Sequence, residues 1–107
     1  MDLRKYRWSK DYESAEEELE GLLEAMNITA ERWTAEAGKA FALHMNAHDK
    51  RLWCAEGSIN YMVNGKKISL QPGDALDLPG YAAHEAQAGI SGCVCYESPD
   101  PKLNPAI

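Results

Sequence analysis

Asn64-Gly65 is the feature that most narrows what this chain can fold into. Ile59, Tyr61 and Val63 lead into it, alternating with Ser58, Asn60 and Met62, and a second strand-like run, Lys66–Leu70, leads out. A two-residue hairpin turn needs positive φ at both central positions. Asn and Gly tolerate that, so the pair predicts two antiparallel strands joined tightly. The same grammar continues on both sides. Gln71-Pro72-Gly73-Asp74 reads as a turn, with proline and glycine where turn geometry places them. Leu76 and Leu78 then alternate with Ala75 and Asp77, and Pro79-Gly80 breaks the chain again. Segments 28–34, 40–46, 50–55, 83–88 and 92–97 are further strand candidates, with turns at 35–38 and Glu56-Gly57 and a polar break at His48-Asp49. Many short strands separated by Gly and Pro turns make a mainly β fold, a sandwich or a barrel.

One segment departs from this pattern. Leu19, Leu22, Leu23 and Met26 fall at i, i+3, i+4 and i+7, one apolar stripe on a helix over 15–26. Ser14 and Glu17 have the spacing of a capping box, early glutamates suit the positive end of the helix dipole, and Asn27 is a plausible stop. The stripe must cover a barrel flank or a second subunit, and both remain open. Trp53 has opposite parity to Lys50 and Leu52, so it faces outward and needs the same cover. Trp8 and Trp33 are candidates for that layer. The striped helix and outward aromatics together predict a homodimer.

The 107 residues suit a single domain, with a helical segment over 1–27, a barrel over 28–97 and an extended, proline-rich tail over 98–107. The formal charge of −6 disfavours nucleic acid as a partner. No apolar run approaches the roughly 20 residues that span a bilayer, so no membrane partner is expected. No signal-peptide pattern opens the chain, which predicts a cytoplasmic protein. Cys54, Cys93 and Cys95 are odd in number and read as buried core residues, with a thiol cluster as the alternative.

Across residues 38–88 the spacing resembles the two sequence motifs of the cupin superfamily. The first motif is a glycine, five residues, His-x-His, three or four residues, Glu, six residues, glycine. Here Gly38 is followed at that spacing by His44; Asn46 stands at the second histidine, Lys50 at the glutamate, and Gly57 closes the motif. The second is a glycine, five residues, Pro-x-Gly, two residues, His, three residues, Asn. Gly73, Pro79 and His84 match it, while Tyr81 replaces the second glycine and Ala88 the asparagine. The resemblance implies a small cupin-type jelly-roll barrel with a pocket in its mouth. Family members commonly hold a divalent metal there through three His and one Glu.

All three histidines of the chain, His44, His48 and His84, lie within these motifs. On a strand, residues two apart share a face, so His44, Asn46 and His48 would point inward together and His84 would meet them from another strand. That makes His44, His48 and His84 the candidate ligands of one divalent metal ion. Asn46, Lys50 and Tyr81 are the candidate contacts to a small-molecule ligand. By parity Lys50 also points inward, where an ammonium repels a metal cation and attracts an anion. Three alternatives follow: Lys50 swings to solvent, a bulge brings Asp49 inward instead, or the site is metal-free and binds an anionic ligand. The functional reading is a small-molecule-binding barrel with a remodelled pocket. The alternative is a metal-dependent enzyme, a dioxygenase or isomerase, acting on a small organic acid. A filled barrel serving as an interaction module is the third.

Overall fold

The computed structural model describes residues 1–9 and 15–98. The elements in chain order are β1 (Arg4–Arg7), α1 (Ala15–Ala25), β2 (Glu31–Ala35), β3 (Ala40–His44), β4 (Lys50–Val63), β5 (Lys66–Leu70), β6 (Asp74–Leu78) and β7 (His84–Ser98). All pairings are antiparallel, in the order β1-β6-β4-β7-β2, with β3 also on β7 and β5 also on β4. The long strands β4 and β7 form the spine. Their first and last residues meet: Arg51 lies opposite Ser98 and Val63 opposite His84. Both ends of this spine contribute to one mouth.

Glu56-Gly57 is not the turn expected of it. Strand β4 runs straight through, and the pairing with β7 shifts register between Cys54 and Glu56 and again between Gly57 and Ile59. Gly57 has φ 70° and Gly92 on the facing strand φ 74°. A Cβ on Gly57 would overlap the Gly92 carbonyl. The two glycines therefore let the spine bend sharply at a bulge, where any other residue would hold the backbones apart.

The other turns follow their sequence. Asn64 (φ 49°) and Gly65 (φ 83°) join β4 to β5 as a primed turn. At Gln71-Pro72-Gly73-Asp74, Asp74 N–H donates to the Gln71 carbonyl (2.9 Å), and Gln71 N–H donates to the Asp74 carboxylate (2.9 Å). Helix α1 ends on Asn27 at φ 55°. Ile28 N–H reaches the Leu23 carbonyl and Asn27 N–H the Glu24 carbonyl, which is the Schellman arrangement. Ser14 and the tail beyond Ser98 lie outside the described residues, and with them the capping box and the extended tail.

Two apolar layers result. The inner one fills the barrel with Leu52, Ile59, Tyr61, Val63, Leu70, Leu76 and Leu78, and it contains Cys54, Cys93 and Cys95. The outer one packs Leu19, Leu23 and Ile28 against Trp53, Ala75 and Tyr96, with Trp8 at its margin. Helix α1 thus covers its own barrel, which decides between the two covers left open by the sequence. Trp53 is therefore covered within one chain. Trp33 does not join this layer: it packs on the inner core, edge-to-face with Phe41 at 5.6 Å.

Candidate functional site

The barrel mouth opens into a cavity of about 340 Å3. Its histidines are His44, from the end of β3, and His84, from the start of β7, which are cross-strand partners. Their rings lie 4.2 Å apart and are tilted by 60°. The two are oriented alike: His44 Nδ1 donates to the Ala42 carbonyl (2.8 Å) and His84 Nδ1 to the Ala82 carbonyl (2.9 Å). A carbonyl only accepts, so Nδ1 carries a proton, and in the neutral form of either ring Nε2 is the nitrogen with the lone pair. Burial, opposed by the backbone contact at Ala82, holds the His84 pKa below its ordinary value, with the charges of His44 and Lys50 adding to the effect.

Lys50 faces this cavity, as strand parity requires. Its Nζ lies 3.0 Å from Glu97 Oε2, and both side chains are about one-fifth exposed. Neither the swing to solvent nor the re-aimed Asp49 occurs: Asp49 accepts the Gly80 N–H (2.9 Å), bracing the loop before His84. Glu97 has no local sequence signal. It is brought in because β7 ends beside the start of β4, 47 residues away in the chain. Glu31 is its cross-strand partner on β2, and it also lines the cavity. The mouth therefore holds one lysine and two glutamates beside two imidazoles.

The walls are aromatic: Trp33, Phe41 and Tyr61. Tyr61 lies 6.4 Å from His84, and burial first, then the neighbouring thiols and Glu97, keeps its hydroxyl protonated well past its ordinary range. The Trp33 indole Nε1 is buried without a hydrogen-bond partner among the described residues. An unmade bond of that kind costs about 1–3 kcal/mol.

The remaining sequence candidates lie elsewhere. Strand β3 ends at His44, so strand parity does not carry across Asn46 to His48. His48 is exposed on a bend and does not line the cavity. Asn46 is also outside the lining; its carbonyl accepts the Tyr81 N–H (2.6 Å), and its buried Nδ2 lacks a partner among the described residues. Tyr81 is 70% exposed with φ 64°, the left-handed conformation that the glycine of the motif adopts without strain. Contacts with the Cys54 and Cys93 thiols first, and then burial, push the Cys95 thiol far up, and all three cysteines are free and buried in the core.

The divalent metal implied by the motif resemblance does not fit these residues. Among the described residues no group of three or more His, Cys, Asp or Glu is arranged to hold a metal ion. Two imidazoles converge, the third histidine is outside, and an ammonium occupies the place of the carboxylate. A protonated lysine cannot coordinate, and it repels a cation.

No family model matches the chain, and no curated protein matches it by sequence. Solved structures do match. KdgF from Halomonas sp. is 27% identical over 65% of this chain and 66% of that one, with a TM-score of 0.57. An RmlC-like cupin from Shewanella frigidimarina is 23% identical over 66% and 65%, at 0.60. The cupin domain of Schizosaccharomyces pombe Cnp3 is 15% identical over 70% and 58%, at 0.60. In each case the match spans about two-thirds of the solved chain or less. The two-motif spacing, the antiparallel barrel and these likenesses agree: the chain has the fold of the cupin superfamily.

Proposed function

We propose that this chain is a small-molecule-binding cupin barrel whose mouth recognises an uncharged, donor-rich organic molecule, such as a polyol, without a metal centre. The observation that carries the reading is the Lys50–Glu97 pair at 3.0 Å inside the cavity. It places a protein cation where the family motif has a metal-binding carboxylate, and it neutralises that cation internally. Glu31 then leaves the cavity with no surplus positive charge for an anion, against the anionic ligand suggested by Lys50 alone. What is in surplus is acceptors: Nε2 of His44 and His84, and the carboxylate of Glu31. Ligand hydroxyls would donate to them, and the aromatic walls would cover an apolar face.

The test is a thermal-shift screen of neutral polyols against matching carboxylates, on protein treated with EDTA. The reading expects stabilisation by neutral compounds that persists without metal. His84→Ala should weaken the best of them roughly tenfold, about 1.4 kcal/mol. Hits confined to carboxylates, or hits that need added metal, would contradict it.

A further inference from the structure

A second site lies at the seam where the barrel stays open. Among the described residues β1 pairs only with β6 and β5 only with β4, and both strands line one groove. The groove has a volume of about 250 Å3, and its charged lining is Arg4, Lys5, Lys66 and Lys67, with no acidic residue among the described ones. In a chain of net charge −6 this concentration of cations needs a reason.

The two carboxylates within reach are already occupied. Buried Asp77 is held by Arg51 at 2.7 Å, and buried Asp74 by Arg7 at 2.9 Å. Arg4 donates to Asp77 at 3.4 Å and lies 4.5 Å over the Tyr6 ring, and Lys5 approaches Asp74 only at 3.7 Å; their side chains are 62% and 45% exposed. Both keep solvent-facing donors beyond these contacts. Lys66 and Lys67 are exposed and form no ion pair among the described residues. The hairpin turn at Asn64-Gly65 fixes them at the start of β5, opposite Arg4 and Lys5.

We infer that this groove binds a compact polyvalent oxyanion, carrying two or more neighbouring negative charges of the phosphoryl or sulfo type. Several cations around a small groove favour clustered charge over a single carboxylate, and Arg4 adds a planar fork of donors suited to tetrahedral oxyanions. The site is separate from the mouth and does not depend on the function proposed for it.

The experiment is calorimetric titration of the whole chain with pyrophosphate at low ionic strength, with acetate as the monovalent control. Pyrophosphate should bind, acetate should not, and affinity should fall as salt rises through the screening range. The double variant Lys66→Gln/Lys67→Gln, at exposed positions, should keep the melting temperature and lose at least roughly tenfold in affinity. Lys50→Met should leave pyrophosphate binding unchanged. Three results would each overturn the inference: no binding of pyrophosphate, equal affinity in the double variant, or loss of affinity in Lys50→Met. Increased aggregation of the double variant with unchanged affinity would assign the lysines instead to guarding an open strand edge.

Discussion

The face under helix α1 and the mouth of the barrel are built from the same strands, and they could hardly be finished more differently. Under the helix, Trp53 and Tyr96 meet Leu19 and Leu23, and the polar atoms are paired: the Tyr96 hydroxyl lies 2.9 Å from both Glu16 and Glu20, and Trp8 Nε1 donates to the Asp74 carbonyl. At the mouth, two imidazoles stand side by side, an ion pair lines the cavity, and the Trp33 indole N–H has no acceptor among the described residues. Apolar burial stabilises the first face. The second keeps polar groups that contribute little to stability and become useful once a ligand meets them. Stability and binding should therefore separate by position.

The largest expected effect is on the covered face. Leu19 is fully buried, and Leu19→Ala should cost about 2–5 kcal/mol in denaturant unfolding. Ligand binding by the molecules that remain folded should not change. A loss of binding without loss of stability would break the contrast.

The next effect is at the mouth. Lys50→Glu replaces the ammonium with a carboxylate beside two imidazoles. Zinc affinity measured by titration should rise at least roughly tenfold over the natural chain, about 1.4 kcal/mol. If it does not, Lys50 is not what keeps metal out.

Tyr96→Phe removes a hydroxyl shared by two glutamates of the helix, and should cost about 1 kcal/mol without touching the cavity. The pH dependence concerns His84. Its pKa is lowered on folding, so the unfolded chain takes up this proton first as pH falls. His84 should therefore make stability decline as pH drops below about 6.5, down to its own folded pKa, and His84→Gln should remove that component. The smallest effect is at Tyr81. A left-handed tyrosine carries about 1–2 kcal/mol of strain, offset in part by the greater freedom of glycine when unfolded. Tyr81→Gly should leave the melting temperature level or slightly raised.

How much of this was legible in the sequence follows the range of the interactions. Local geometry was readable: Asn64-Gly65, Gln71 to Asp74 and the helix stripe each carry their signal within a few residues. Motif spacing also brought His44 and His84 to one place, although they come from different strands. Strand β1 was missed because Arg4–Arg7 has no apolar alternation; its pairing with β6 is supported by charges on Asp74 and Asp77, about seventy residues on. Glu56-Gly57 misled because a positive-φ glycine serves a turn and a bulge equally well, and only Gly92 across the sheet tells them apart. His48 failed because parity holds only while a strand continues. Glu97 and Glu31 had no signal at all, since nothing near either residue shows that it will face Lys50.

The central claim is that Lys50, held by Glu97, has taken the place of a metal at this mouth. Elemental analysis of untagged protein, purified without added metal, tests it most directly. The account predicts metal far below one equivalent per chain, with no difference in His44→Ala or His84→Ala. Close to one equivalent of a transition metal, lost in both variants, would contradict it.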